Sequence, residues 1–151
     1  MHTFGSGFDT LAGGYSGIGV AFRSGAPDCL STLDATGYDG VEFWVRGSGV
    51  VRFVVATVAT TPSSNFGECQ SGCYDSHGEL VSLTPTFSLV RVPFVKLAQE
   101  GWGTPAVFDR SKILTLQWTP KTLGGPPPSN TTPATCFDFW IDDVAFYADT
   151  N

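Results

Sequence analysis

The chain has 151 residues, of which 42% are hydrophobic, and its 8 lysines and arginines against 14 aspartates and glutamates give a formal net charge of -6. This length and apolar content predict a single globular domain over residues 1–151 and exclude whole-chain disorder. The acidic balance argues against nucleic-acid binding, which requires clustered cations. No apolar run approaches the roughly 18 residues that cross a membrane.

Strand signals recur along the chain, whereas helix signals are poor. Apolar, β-branched and aromatic runs are separated by Gly, Pro, Asn and Asp, which typically bound strands. The one helical candidate is a turn over 96–101 (KLAQEG), closed by Gly101. Strands joined by loops without intervening helices predict an all-β fold, an antiparallel β-sandwich of jelly-roll topology. The predicted strands are 17–23, 40–47, 50–60, 79–84, 87–94, 112–118 and 136–147.

Alternation of side chains along the strands separates an apolar face from a polar, aromatic one. In strands 40–47 and 136–147, turning the apolar residues inward leaves one tryptophan of each strand outward among charged residues. In strand 112–118 the pattern is less regular, and we assign Leu114 and Leu116 inward. The predicted outward residues are Trp44, Arg46, Glu42, Arg91, Gln117, Asp138 and Trp140.

Flat aromatic rings beside carboxylate, guanidinium and amide groups suit sugars. Pyranose rings offer apolar C–H faces for stacking, and their hydroxyls accept and donate hydrogen bonds. We therefore predict that these outward residues bind a carbohydrate. The alternative is that Trp44 and Trp140 lie in the core while the charged residues form a solvated face.

Two loops offer further ligand contacts. Tyr74 and His77 lie in the loop 66–78 (FGECQSGCYDSHG), which could form one wall of a binding cleft because a pinned loop loses less entropy on binding. The alternative is a surface loop without a ligand. Trp102 lies between two glycines in QEGWG, where it either stacks on a ligand or tucks under a loop.

Four cysteines allow three disulfide pairings. Cys69 and Cys73 enclose a short flexible connection, QSG, that can bring their sulfurs together, which leaves Cys29 to pair with Cys136. A zinc site formed by Cys69, Cys73 and His77 lacks a standard spacing and a fourth ligand. Reduced cysteines in the cytosol are the alternative, but abundant Pro, Gly, Ser and Thr with scarce lysine favour an exported, oxidised domain.

Asp142 and Asp143 interrupt the alternation of the last strand, because the inward phase resumes one residue late after them. This shift predicts a β-bulge, where two successive residues oppose one on the partner strand. Adjacent carboxylates need a cation or hydrogen-bond donors, and calcium prefers oxygen ligands in irregular geometry. We expect a structural calcium ion at Asp142 and Asp143, with Asp9 and Asp39 as further ligands. The alternative is a hydrogen-bonded pair without metal.

Four segments occur in a characteristic order: YDGVEFWVRGSG (38–49), CYDSHG (73–78), VPFVKLAQEGWG (92–103) and FDFWIDDVAFY (137–147). Together they resemble known β-sandwich domains of bacterial secreted proteins. The resemblance is to family 11 carbohydrate-binding modules and, more distantly, to the complex I intermediate-associated domain, both galactose-binding-like jelly rolls. It covers the chain from about Gly17 to Tyr147.

The resemblance implies a secreted, non-catalytic module that binds β-glucan chains, cellulose or mixed-linkage glucan, along a concave sheet and brings an attached or partner enzyme to its substrate. It implies structural calcium at Asp143 and a tyrosine-lined cleft, for which Trp44 and Trp140 are the nearest equivalents. We expect a monomer that is part of a larger secreted enzyme or lipoprotein. The alternative is a protein-interaction or assembly domain of the complex I intermediate-associated type.

The sequence contains few residues or motifs that indicate catalysis. The chain has two histidines, His2 and His77, and neither a G-x-S-x-G elbow nor an H-E-x-x-H motif. Glu42 with Asp138 could be the carboxylate pair of a glycosidase, but carboxylates beside tryptophan also fit plain sugar binding. We therefore expect no enzymatic activity.

Overall fold

The computed structural model describes residues 1–7, 15–22, 31–121 and 136–149. These residues form eight strands in two antiparallel four-stranded sheets. The strands are β1 (His2–Ser6), β2 (Ile18–Ala21), β3 (Gly40–Gly47), β4 (Val50–Thr57), β5 (His77–Ser82), β6 (Ser88–Pro93), β7 (Ile113–Lys121) and β8 (Cys136–Tyr147).

The strand order is that of a jelly roll. One sheet, sheet A, has the order β1-β8-β3-β6, and the other, sheet B, has the order β2-β7-β4-β5. Consecutive strands cross between the sheets at every connection except β4 to β5, as expected for two Greek keys folded into a sandwich. The predicted all-β antiparallel sandwich is therefore confirmed, and β3 and β8 have the predicted bounds.

Helical structure in the described part of the chain is limited to 3-10 turns at Val58–Thr60, Ser63–Asn65 and Phe94–Lys96. The helical turn predicted over 96–101 is wrong. The 3-10 turn ends at Lys96, and Ala98 forms a β-bridge with Gly78 at the edge of sheet B instead of continuing a helix. No helix among the described residues has both the length and the apolar character needed to cross a membrane.

The core lies between the two sheets and follows the predicted alternation in β3 and β8. Val41, Phe43 and Val45 point inward from β3 and are fully buried. At the centre, the ring centroids of Phe43, Phe53 and Trp118 lie 5.2 Å apart in each pair. Trp118 is fully buried, so the last residue of the predicted strand 112–118 contributes to the core.

The predicted β-bulge in β8 is confirmed. Glu42 of β3 faces Ala145 and Trp44 faces Asp142, so Phe43 opposes two residues of β8. Asp143 has a φ of 47°, in the left-handed region that bulges commonly use. The bulge allows β8 to return its later residues to the core, because Val144 and Phe146 pack against it.

Replacing Phe43 with alanine should destabilise the protein by about 3–5 kcal/mol, because it removes the ring between Phe53 and Trp118. Phe4→Ala is the matched control. Phe4 is 74% exposed, so its loss should change stability by no more than about 0.5 kcal/mol. Denaturant unfolding measures both variants, and equal effects would contradict this description of the core.

Candidate functional site

The outer face of sheet A brings together six of the seven predicted outward residues. Arg46 lies opposite Trp140, Glu42 lies opposite Arg91, and Trp44 lies between Leu89 and Asp142. The predicted phase of β3, β6 and β8 is therefore confirmed. The residues that share this face are Trp44, Arg46, Glu42, Arg91, Asp138 and Trp140.

Trp140 is held between two neighbours on this face. The His2 ring stacks on the indole at 4.0 Å and 4° between planes, and the Arg46 guanidinium carbon lies 4.1 Å from the indole centroid. Because β1 and β3 lie on opposite sides of β8, these contacts cover opposite faces of the ring. Trp140 therefore has no free face on which a sugar ring could stack.

The charged groups of this face are also paired with one another. Arg91 Nε donates to Glu42 Oε2 at 2.8 Å, and a ring nitrogen of His2 lies 2.7 Å from Asp138 Oδ1. Trp44 is 40% exposed and is the predicted indole that stays open to solvent. Most of the charged groups on the outer face of sheet A are thus paired with other side chains of the protein.

The outer face of sheet B carries an apolar groove of about 540 Å³, which we call the tyrosine groove. Two of its lining residues, Gln117 and Tyr74, were predicted ligand contacts. The expectation that Gln117 lies with the tryptophans is wrong, because β7 belongs to sheet B. The groove is lined by Tyr15, Ala56, Thr61, Asn65, Tyr74, Ser76, Leu114, Thr115 and Gln117.

Both tyrosines of the groove are oriented by amide side chains. The Tyr15 hydroxyl donates to Gln117 Oε1 at 2.8 Å, and Gln117 Nε2 donates to Thr115 Oγ1 at 2.9 Å. Asn65 Nδ2 donates to the Tyr74 hydroxyl oxygen at 2.9 Å. Burial raises the pKa of Tyr15 above its ordinary value, which keeps this hydroxyl protonated as a donor.

The groove continues over β2. A cavity of about 270 Å³ shares Tyr15, Thr115 and Gln117 with it and is otherwise lined by residues 17–21. The outward positions of β2 are occupied by Gly19 and Ala21, whose small size leaves open space above the strand. The two cavities together form an elongated depression across the strands.

Leu114 lines the groove, although it was predicted to point into the core. Ala56 of β4 faces Thr115, whereas the next residue, Thr57, faces Ile113, so Leu114 is the additional residue of an irregularity in β7. Ile113 takes the core position in its place. The prediction failed because a one-residue shift reverses the face of every preceding residue.

Tyr15 and Asn65 were missed because both lie outside strands, where no periodicity identifies them. Tyr15 precedes β2, and Asn65 ends a 3-10 turn. The available signal was the tyrosine-lined cleft implied by the resemblance, since the chain has only 4 tyrosines and Tyr15 and Tyr74 are two of them.

The wall that carries Tyr74 is fastened in two ways. The predicted Cys69–Cys73 disulfide is confirmed, with the Cα atoms 5.7 Å apart. Tyr74 itself has a φ of 73°, a left-handed conformation that the surrounding contacts must hold. Its amide donates to the carbonyl of Thr60 at 2.8 Å, which ties the wall to the 3-10 turn that follows β4.

Asp75 anchors a second segment against the same wall. Its carboxylate is 1% exposed and accepts the backbone N–H groups of Glu100, Gly101 and Gly103 at 2.8, 2.8 and 3.0 Å. Burial alone raises the pKa of Asp75, but these donors more than offset it and hold the pKa below its ordinary value. The side chain is therefore ionised at neutral pH.

His77 does not belong to the site. The prediction that it contacts a ligand is wrong, because the side chain is 6% exposed and its ring lies 5.3 Å from that of Phe108. Its Nε2 lies 3.0 Å from the carbonyl oxygen of Ala106 and can donate to it. Burial lowers the pKa of His77 below its ordinary value.

The expected calcium site is not assembled by the described residues. Asp142 and Asp143 are exposed, and Asp142 Oδ1 accepts the backbone N–H of Asp143 at 3.0 Å, which is the hydrogen-bonded alternative. The described ranges contain no group of three His, Cys, Asp or Glu side chains that could hold a metal. Asp9 lies outside the described residues, so calcium stays a prediction.

The expected second disulfide, between Cys29 and Cys136, stays a prediction. Cys136 is exposed and carries a free thiol. Cys29, its expected partner, lies outside the described residues. The described residues therefore do not test this pairing.

Comparison with known proteins identifies the fold. No protein-family model and no curated protein matches the sequence. The structure is similar to the family 11 carbohydrate-binding module from Clostridium thermocellum in complex with a β-1,3-1,4-mixed-linked tetrasaccharide, with a TM-score of 0.56, 13% identity and coverage of 97% of this chain and 84% of that chain.

A family 11 module of a cellulosomal cellulase of the same organism gives a TM-score of 0.58 and 12% identity, over 98% of this chain and 83% of that chain. The chain therefore has the fold of a family 11 carbohydrate-binding module over nearly its whole length. The resemblance expected from the sequence is confirmed at the level of the fold.

Lowering the pH should destabilise the protein through His77. Because the folded state lowers the pKa of His77, the unfolded chain binds the proton more readily. The contribution of neutral His77 to the unfolding free energy is fully present above about pH 6.5, and it is lost as the pH falls from there toward the pKa of His77 in the folded state. Between about pH 7.5 and about pH 5.5, the unfolding free energy of His77→Leu should fall less than that of the wild type. Equal declines would contradict the buried, neutral imidazole.

Proposed function

We propose that this protein is a secreted, non-catalytic module that binds a β-glucan chain, cellulose or mixed-linkage glucan, in the tyrosine groove. The observation that carries the proposal is the pair of oriented tyrosines, Tyr15 and Tyr74, in an apolar groove of about 540 Å³. The family 11 fold supports it, because one protein of this fold is described in complex with a mixed-linked tetrasaccharide.

The chemistry of the groove fits a glucan. Tyrosine rings stack on the apolar C–H faces of pyranose rings, while amide and hydroxyl groups of Gln117, Asn65 and Thr115 exchange hydrogen bonds with sugar hydroxyls. The volume lies within the range of about 300–1,000 Å³ typical of ligand pockets. The continuation of the groove over β2 suits several linked sugars rather than a single one.

Orientation of the rings before binding favours affinity. The hydrogen bonds to Tyr15 and Tyr74 and the Cys69–Cys73 disulfide restrict the lining side chains in the free protein. Less conformational entropy is therefore lost when the sugar binds. The outer face of sheet A is a poorer candidate, because Trp140 is already stacked on both sides.

A binding role without catalysis is supported by the groove lining. Glycosidases require two carboxyl groups on either side of the scissile bond. The described residues that line the tyrosine groove include no aspartate or glutamate. We propose that the protein acts as a monomer that brings an attached or partner enzyme to the polysaccharide. The disulfide supports an oxidising, extracellular location.

Protein interaction is the second candidate function. It is favoured by exposed apolar residues on and beside the outer face of sheet A, where Phe4, Trp44 and Leu89 are 74%, 40% and 45% exposed. Contiguous exposed apolar surface is typical of protein contacts. This candidate predicts binding that depends on sheet A and is independent of glucan.

Truncating the groove tyrosines should weaken glucan binding. Tyr15→Ala and Tyr74→Ala should each lower affinity for a mixed-linkage tetrasaccharide by about 10-fold, because each removes a stacking face. Tyr15→Phe keeps the ring and loses only the hydrogen bond to Gln117, so its loss should be smaller. Isothermal titration calorimetry measures the affinities.

Trp44→Ala is the matched control, since it removes an exposed aromatic ring from the opposite sheet. The affinity of this variant should stay within about 2-fold of that of the wild type. Circular dichroism verifies that the variant keeps the wild-type fold. A strong loss in Trp44→Ala with normal binding by both tyrosine variants would move the site to sheet A. Absence of any glucan binding by the wild type would overturn the proposed function.

A further inference from the structure

The segment 99–104 is held tightly although it belongs to neither a strand nor a helix. Gln99 Nε2 donates to the carbonyl oxygens of Asp75 and Thr104 at 2.7 and 3.0 Å, and Gln99 Oε1 accepts the N–H of Ala106 at 2.7 Å. Thr104 Oγ1 donates to the carbonyl of Ser71 at 2.7 Å. These bonds add to the three that Asp75 accepts from the same segment.

Close backbone packing also fixes the segment. A Cβ atom at Gly103 would lie 2.4 Å from both Asp75 Cβ and the carbonyl oxygen of Gly72, so only glycine fits there. Arg52 of β4 is 6% exposed and donates to the carbonyls of Ser76 and Ala98 at 3.0 and 2.7 Å. It thereby ties to β4 both the residue that follows Asp75 and the residue that precedes the segment 99–104. The segment is therefore a rigid part of the fold.

Trp102 projects from this rigid segment and is 61% exposed. Its Nε1–H donates to Glu100 Oε2 at 3.3 Å, and Glu100 is in turn held by Lys121 Nζ at 2.8 Å. The edge of the indole is thus oriented, while within the described part of the chain no aromatic ring or guanidinium stacks on it. In this respect Trp102 differs from Trp140.

The segment lies on the same outer face as the tyrosine groove. Glu100 lies 4.0 Å from the Arg52 guanidinium, and Arg52 faces Thr119 across the sheet. Gln117, which lines the groove, is two residues along the same strand, a distance of about 7 Å. Residues 101–104 also pack against residues 72–75, which carry Tyr74. Trp102 therefore extends from a segment that packs against the wall carrying Tyr74, on the outer side of sheet B.

We propose that Trp102 is a further stacking platform for the glucan chain, used by sugars that extend past Tyr74 out of the tyrosine groove. The proposal rests on the proposed function, since it concerns the same ligand. An indole that is oriented and rigid in the free protein binds a pyranose face with little loss of entropy. Tryptophan is also among the residues that most often dominate binding energy. Trp102 thereby makes affinity depend on chain length.

The test is a calorimetric length series with mixed-linkage tri-, tetra-, hexa- and octasaccharides on wild type, Trp102→Ala and Trp102→Phe. In the wild type, affinity should rise from the short to the long oligosaccharides. Trp102→Ala should bind the short oligosaccharides normally and lose about 5-fold or more for the long ones. Trp102→Phe should recover part of that loss, because it restores a flat ring. Trp44→Ala, a tryptophan truncation on the opposite sheet, should follow the wild type at every length.

The outcomes separate this inference from the proposed function. Equal affinities of Trp102→Ala and wild type for the long oligosaccharides would overturn the platform and leave the groove intact. An equal loss at every length would also overturn it, since the effect would then act through the groove itself. If the wild type binds no oligosaccharide, the proposed function fails first and the platform fails with it.

Discussion

The packing of Trp118 against Phe43 and Phe53 is the constraint on which the rest of the structure depends. These three rings belong to central strands of the two sheets, and burying them fixes which residues of β3, β4 and β7 face the solvent. Because side chains alternate, the two outer faces follow from this core. They differ in character: sheet A carries long side chains that pair with one another, whereas sheet B has small residues at Gly19, Ala21 and Ala56, which leave space for a groove.

The sequence was sufficient for the sandwich, for the face of most residues in β3 and β8, and for a bulge next to Asp142, because the alternation of neighbouring residues indicates all of these. The bulge itself lies one residue later than predicted, at Asp143 and Val144. It could not reveal which sheet a strand joins, so Gln117 was placed with tryptophans of the other sheet. It could not reveal that His2, distant in the chain, covers Trp140. Those relations arise from non-local pairing.

The walls of the tyrosine groove are built where periodicity carries no information. Tyr15 and Asn65 lie outside the strands, and the wall with Tyr74 depends on a disulfide and on the buried carboxylate of Asp75. Such a carboxylate would be costly to bury without donors, and three backbone N–H groups supply them. The sheets thus provide a rigid floor, while hydrogen-bonded loops provide oriented aromatic side chains. This division explains why the fold was easier to predict than the residues that line the groove.

The central claim is that ligand binds to the outer face of sheet B rather than sheet A. Mapping of backbone amide chemical shifts by NMR, while a mixed-linkage tetrasaccharide is added, tests it most directly. The account predicts shifts concentrated at Tyr15, Asn65, Tyr74 and residues 115–117, with β3 and β8 little changed. Shifts concentrated around Trp44 and Trp140, with the groove residues unaffected, would contradict it.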